Sequence, residues 1–142
     1  MTDDDCEWVC LTVPASAVVA ALAAWHDDHE ASARALEDVV AIPAHVMVET
    51  YSVLTRLPAG LAVPAAAAAR VLGSRFHEEP LWLSDADRRK LPAQLAEASV
   101  FGGAAYDGLA GLEAKAHGRP LLTLDRRAQE VYRRLGVAFQ VV

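Results

Sequence analysis

Three carboxylates lie inside segments of the chain whose other residues predict buried helix or strand. Glu49 lies in IPAHVMVETYSVLTRLP, Asp107 lies in FGGAAYDGLAGLEAKAHG, and Asp125 directly follows the apolar run PLLTL. A carboxylate near apolar neighbours costs free energy unless a cation or hydrogen bonds compensate for its charge. Three such groups on different elements therefore predict a shared divalent cation.

The ligand type indicates a hard cation. Carboxylates without His or Cys partners nearby suit Mg²⁺, with Mn²⁺ as an alternative. Mg²⁺ keeps several waters and binds substrate phosphates, so such a site can direct a metal-activated water in line at a phosphodiester. One carboxylate could also act as general base toward that water.

Each carboxylate also has an interpretation without chemistry. Glu49 could be a solvated residue on a helix surface. Asp107 could be a residue whose charge is stabilised by the helix dipole, and Asp125 could be a helix N-cap. Spacing alone leaves both interpretations open.

The elements that must position these residues are predicted from the apolar pattern. Short apolar strands alternate with helices in the order β-α-α-β-α-α-β-α-α-β-α-β, which is typical of a parallel sheet covered by helices. We therefore predict an α/β fold, a three-layer α/β/α sandwich with a central, mostly parallel sheet. Sites in such sheets form outside the carboxyl ends of the strands, where the three carboxylates could meet. The predicted strands are EWVCLTV, VVAIP, PLWLS, PLLTL and VAFQVV.

Proline, glycine and serine mark most of the predicted helix boundaries. A proline at the first helical turn costs no hydrogen bond, and a glycine often ends a helix. Ser84 with Asp87 three residues later predicts a capping box, and Pro92 predicts a kink or division of the helix that follows. Helix starts are expected at Pro14, Pro43 and Pro64, and helix ends at Gly60, Gly118 and Gly136.

The bulk composition predicts one folded domain. The chain has 142 residues, of which 54% are hydrophobic and 23% charged, and this excludes intrinsic disorder. An acidic, frayed tail is expected over residues 1–7 and a single domain over residues 8–142. The longest apolar stretch, VPASAVVAALAAW, is shorter than the roughly 20 residues that span a bilayer, so no membrane contact and a cytoplasmic location are expected.

Charge and cysteines add little to the functional prediction. The net charge of −6 argues against a strong electrostatic footprint for nucleic acid. However, basic residues cluster at 88–90, 126–127 and 133–134, so charge neither requires nor excludes RNA. Cys6 and Cys10 do not form a secreted disulfide framework and have no obvious metal-ligand partners.

The segments around the three carboxylates resemble a known family. Glu49 within VETYSVLTRLP, Asp107 within GGAAYDGLAGLEAKAHG and Asp125 within LLTLDRRAQEVYRRLGV are similar to the three acidic blocks of PIN-domain proteins, in particular the VapC-type toxins of bacterial toxin–antitoxin pairs. The resemblance covers roughly residues 8–142. It implies a PIN-like sandwich, a Mg²⁺-dependent endoribonuclease acting on RNA, a homodimer, and a cognate antitoxin whose tail enters the active-site groove. It assigns all three carboxylates as catalytic, metal-binding residues.

The first acidic block of the family departs from the expected pattern. Family members usually carry Asp at the end of the first strand, and aligning the helix that follows puts Pro14 at that position in this chain. Thr12 and Ser16 could supply a hydroxyl there, but neither replaces a carboxylate charge. Thr123 and Arg126 are further candidates for contact with substrate or with the metal surroundings. Activity is expected to be weakened, since even indirect changes around a metal typically cost about 10–100-fold.

Two alternative functions stay open from the sequence. Pro14 and the acidic balance also fit a degenerate PIN domain that binds RNA or a protein partner without cutting. A phosphotransfer or dehalogenase-like domain could use Asp125 as nucleophile, but it needs a second acid two residues later, where Arg127 stands.

The remaining polar and aromatic residues are assigned structural positions. Glu113 is expected at the surface or beside the site, and Tyr51 on a possible dimer face. Structural roles are expected for His45, His77 and His117, and core positions for Trp25, Trp82 and Phe101.

Overall fold

Helices make up most of the described chain. The computed structural model describes residues 15–123 and 125–141, with side chains from Val18 onward. The predicted tail, both cysteines, the predicted first strand with Thr12, and Pro14 lie outside these residues. Within them the α-helices are α1 (Ala15–Leu22), α2 (His29–Ala35), α3 (Ala44–Thr55), α4 (Ala65–Arg75), α5 (Asp85–Glu97), α6 (Ala104–Ala116) and α7 (Gln129–Leu135).

A small parallel sheet confirms the α/β class. Strand β1 (Leu121–Thr123) pairs in parallel with β2 (Phe139–Val141), and Leu121 lies opposite Phe139. A parallel pair needs a crossover between its strands. Here a 3₁₀ turn (Arg126–Ala128) and α7 supply it.

The predicted strands VVAIP and PLWLS are much shorter than expected. Between them the structure forms one isolated parallel bridge, from Pro43 to Leu81. The Leu81 N–H donates to the Ile42 carbonyl at 3.1 Å, and the Ala44 N–H donates to the Leu81 carbonyl at 3.1 Å. Pro43 and Pro80 have no N–H to donate, so a longer ladder cannot continue through them.

Most predicted helix boundaries are confirmed. Pro43 and Pro64 directly precede α3 and α4. The Ser84 hydroxyl accepts a hydrogen bond from the Asp87 N–H at 3.1 Å, which caps α5. Gly118 and Gly136 follow α6 and α7 with φ of +63° and +65°, the left-handed conformation that ends helices.

Of the two outcomes predicted at Pro92, a kink or a division, the division is wrong, because α5 continues through it from Asp85 to Glu97. Pro92 removes the donor that would bond the Arg88 carbonyl. Both residues are exposed, so water can satisfy that carbonyl without breaking the helix.

Two apolar clusters form the core. One contains Val18, Ile42 and Val46 and joins α1, α3 and α4. The other surrounds Leu121 and Tyr132 and joins α5, α6, α7 and β1.

The predicted core positions of Trp25, Trp82 and Phe101 are wrong. Their exposed fractions are 51%, 55% and 77%. The described part of the chain contains no helix with the length and apolar character to cross a membrane.

Candidate metal centre

Asp107 lies in the first turn of α6, where the helix dipole favours an anion. The preceding Gly102 adopts a φ of +63°, which turns the chain into this helix. The next residue, Gly108, lets α6 lie close to its neighbours, since a Cβ there would be 2.7 Å from Leu95 Cδ2 and 3.2 Å from Leu135 Cδ1. Asp107 is therefore held partly buried.

The electrostatic surroundings of Asp107 link it to the other two carboxylates. Burial raises the pKa of Asp107 most, and the negative charges of Asp125 and then Glu49 raise it further. His45 lowers the pKa of Asp107. Asp125, just after β1, and Glu49, on α3, therefore both lie within electrostatic range of Asp107 on α6.

Asp125 is held by a short network at the end of β1. Its Oδ1 accepts a hydrogen bond from the Arg127 N–H at 2.8 Å, so the N-cap interpretation of Asp125 is confirmed. Its own N–H donates to the hydroxyl of Thr123 at 3.0 Å, and Thr123 is fully buried. These bonds fix the carboxylate at the carboxyl edge of the strand. Arg126, the first residue of the 3₁₀ turn, is exposed beside it.

Glu49 is exposed on α3 and lines a groove between α3, α5 and α6, which we call the α3–α6 groove. The groove has a volume of about 600 Å³. Its lining includes His45, Val48, Glu49, Trp82, Tyr106 and Glu113.

A partly buried His–Glu pair in this groove was not predicted from the sequence. His45 Nδ1 lies 3.3 Å from Glu113 Oε2. Glu113 is 3% exposed, so of its two expected positions, at the surface or beside the site, the surface one is wrong. The spacing of Tyr106, Leu109 and Glu113, at i, i+3 and i+7, places them on one face of α6 and is the signal that could have indicated this.

By donor type and charge, the three carboxylates fit a hard divalent cation. Oxygen ligands are what Mg²⁺ and Mn²⁺ prefer, and a cation would relieve the repulsion that raises the pKa of Asp107. By distance, no three His, Cys, Asp or Glu side chains in residues 18–123 and 125–141 are grouped closely enough to hold a metal ion. The metal-ligand roles of Glu49, Asp107 and Asp125 therefore stay a prediction.

The remaining predicted site residues are described only in part. Ser16 lies in α1, where only its backbone is described. Thr12 and Pro14 lie outside the described residues. The candidate contribution of the first strand to the site thus stays a prediction as well.

Comparison with known proteins matches the PIN domain over residues 13–134. The chain is 46% identical over 127 residues to Ribonuclease VapC40 of Mycobacterium tuberculosis, strain CDC 1551 / Oshkosh, a match that covers 89% of this chain and 95% of the relative. The protein of the same name in strain H37Rv gives the same figures. Ribonuclease VapC27 of strain H37Rv is 42% identical over 118 residues, which cover 83% of this chain and 79% of that protein. By these matches the chain belongs to the PIN-domain family and, within it, to the VapC type.

Proposed function

We propose that this chain is a divalent-metal-dependent endoribonuclease of the VapC type, which hydrolyses RNA phosphodiester bonds. The observation that carries the proposal is electrostatic. Asp125 and Glu49 both raise the pKa of Asp107, in a chain that is 46% identical to a protein named Ribonuclease VapC40. Two carboxylates that both repel the charge of a partly buried third are costly without a compensating cation, and a bound cation would offset that cost.

The carboxylates would hold Mg²⁺ or Mn²⁺. Such an ion, when bound, activates water and neutralises charge on a phosphodiester. Asp107 and Asp125 would bind it from the fixed ends of α6 and β1. Glu49, which is exposed, would complete the set or accept a proton from the attacking water.

The surrounding residues would orient this set and the substrate. Thr123 holds the backbone of Asp125 through its hydroxyl. Arg126 is exposed beside Asp125 and would contact an RNA phosphate. Thr12 and Ser16 would supply hydroxyls near the end of the proposed first strand. Pro14 supplies no ligand, so the site would bind metal more weakly than one with a fourth carboxylate.

The finer architecture belongs to the same proposal. The first strand would extend the parallel sheet into the centre of a three-layer α/β/α sandwich. A cognate antitoxin would bind the chain and block the site, and the protein would act in the cytoplasm.

The α3–α6 groove supports a homodimer. Three large side chains along it are mostly exposed, with exposed fractions of 69% for Val48, 55% for Trp82 and 66% for Tyr106. Contiguous apolar surface with exposed aromatic residues is typical of protein–protein interfaces. A second copy of the chain would cover these three side chains.

An RNA cleavage assay tests the enzymatic proposal. Purified protein is incubated with single-stranded RNA in Mg²⁺, in Mn²⁺ and in a chelator. Cleavage is expected with metal only, and we expect Asp107→Asn and Glu49→Gln to lose it. Glu97→Gln, the same chemical change at an exposed site at the end of α5, is the control and should keep full activity. The proposal fails if the wild-type chain cuts RNA in neither metal.

A second function, binding without cleavage, is favoured by the resemblance and by one observation. The resemblance aligns Pro14 with a position where the family usually carries Asp, and the described residues form no closed metal-ligand group. RNA binding measured by fluorescence anisotropy, with cleavage measured in parallel, separates the two functions. Binding without cutting by the wild type, with cleavage gained in Pro14→Asp, would support the second function.

A further inference from the structure

The hydrogen bond between His45 and Glu113 joins the two helices that carry Glu49 and Asp107. His45 lies in α3, one turn before Glu49 on the same face. Glu113 lies in α6, the helix that begins just before Asp107. Among the described residues, the His45–Glu113 bond is the side-chain hydrogen bond that joins α3 to α6.

The two helices otherwise pack mainly against different neighbours. Helix α3 packs on α1 and α4, whereas α6 packs on α5 and α7. Val46 and Leu54 of α3 belong to the first core cluster, and Leu112 and Ala114 of α6 belong to the second. Ala110 of α6 reaches the first cluster, but apolar contacts between two helices tolerate small rotations and slides. A hydrogen bond is directional, so it limits both the rotation and the sliding of the two helices.

Burial makes this contact costly to break. The side chain of Glu113 is 4% exposed and that of His45 is 22% exposed. A buried carboxylate that loses its partner keeps its full desolvation cost. The folded chain is therefore biased toward the arrangement of α3 and α6 in which the pair is formed.

The His45–Glu113 bond also constrains the candidate metal site, because each partner lies on the same helix as one of the carboxylates. Fixing His45 fixes the rotation of α3 about its axis and therefore the direction in which Glu49 projects. Glu113 and Asp107 share the continuous helix α6, so anchoring one anchors the other. Both His45 and Glu49 line the α3–α6 groove, which agrees with a common orientation.

We propose that His45 and Glu113 are a positioning pair that sets the separation of Glu49 and Asp107 and thereby the affinity of the chain for a divalent cation. The proposal rests on the metal site of the proposed function. Neither member of the pair is itself assigned as a ligand.

Mn²⁺ binding, measured by electron paramagnetic resonance of the free ion, tests the pair without an activity assay. His45→Phe removes the hydrogen bond, and we expect it to weaken Mn²⁺ binding about 10–100-fold, the range typical for residues that orient metal ligands. His45→Asn keeps a donor near the position of Nδ1 and should restore part of the affinity. Lys115→Met is the matched control, since it removes a different α6 hydrogen bond, from Lys115 Nζ to the Leu135 carbonyl at 3.1 Å.

The double variant His45→Phe/Glu113→Met separates positioning from simple stability. Replacing both partners by apolar groups leaves no unpaired buried carboxylate, so the midpoint of thermal unfolding should recover toward wild type. A positioning role predicts that Mn²⁺ affinity stays low in this stable protein. The double variant also serves if His45→Phe alone does not fold.

Three results would overturn the inference. Wild-type affinity in the folded double variant would show that the pair acts only through stability. An equal loss of affinity in Lys115→Met would show that any damage to α6 has the same effect. Absence of Mn²⁺ binding by the wild-type chain would overturn the proposed metal site and this inference with it, whereas the first two results leave the metal site standing.

Discussion

Asp107 is the residue at which the conflict between stability and function is most visible. Burial and the charges of Asp125 and Glu49 raise its pKa, so ionisation of Asp107 opposes folding in the absence of metal. A raised carboxyl pKa gives stability that is fully present at low pH and is lost as the pH rises through the raised value. This follows because the folded state binds the proton more tightly than the unfolded chain does.

Asp107→Asn should therefore stabilise the metal-free protein at neutral pH. In a chelator at pH 7, thermal unfolding of the variant is expected at a higher temperature than that of the wild type. The difference should shrink as the pH falls through the raised pKa of Asp107 and vanish below the ordinary pKa of an aspartate. Saturating Mn²⁺ should reverse the order, because only the wild type gains binding energy. A lower unfolding temperature for the variant in chelator at pH 7 would contradict this assignment of charge.

His45 and Glu113 show which part of the site the sequence could not provide. The three carboxylates were predicted from residue type and the character of the surrounding segments. The His–Glu contact joins positions 68 residues apart, and the local spacing in α6 indicates only the face on which Glu113 lies, not its partner. Only the packing of α3 against α6 brings the two side chains together.

At the scale of elements, local rules predicted helix starts and ends better than strands. Pro43 and Pro64 act through backbone geometry and Ser84 acts through its hydroxyl, all within one turn, and the structure follows them. Strands depend on a partner elsewhere in the chain. The predicted strands at 39–43 and 80–84 each contain a proline that limits pairing, and they form a single bridge.

Pro92 lowers the stability of helix α5, and a substitution can remove this effect. Because α5 is continuous through this position, Pro92→Ala should restore an intrahelical hydrogen bond to the Arg88 carbonyl. We expect the free energy of unfolding to rise by about 1–3 kcal/mol, measured by urea denaturation.

Pro64→Ala is the control for this prediction. Pro64 directly precedes α4, where no intrahelical donor is needed, so its replacement should not stabilise the protein. If Pro92→Ala also gives no gain, the helix does not make the additional bond.

At the scale of the whole molecule, the exposed aromatic residues indicate which part of the surface another molecule would cover. Sequence reasoning placed Trp25, Trp82 and Phe101 in the core, because a single sequence does not distinguish a buried side chain from one that another molecule covers. The structure places all three at the surface. Trp82 lines the α3–α6 groove, where Arg88 lies 5.3 Å from the centre of its ring.

The homodimer proposal predicts that charge in the groove separates the subunits. Trp82→Glu should convert a dimer to a monomer in size-exclusion chromatography with light scattering, because burying an unpaired carboxylate at an interface is costly. Val71→Glu, at a 43% exposed position on α4, is the control and should stay dimeric. A wild-type chain that is monomeric at high concentration would contradict the proposed interface.

The central claim is that Glu49, Asp107 and Asp125 form one divalent-cation site. The most direct test is a calorimetric titration of Mn²⁺ into the wild-type chain and into Asp107→Asn. We predict saturable binding of Mn²⁺ to the wild type and at least about a tenfold loss of affinity in the variant, since a removed ligand should cost no less than a removed orienting residue. Equal affinity in the two proteins, or no binding to the wild type at millimolar Mn²⁺, would contradict the claim.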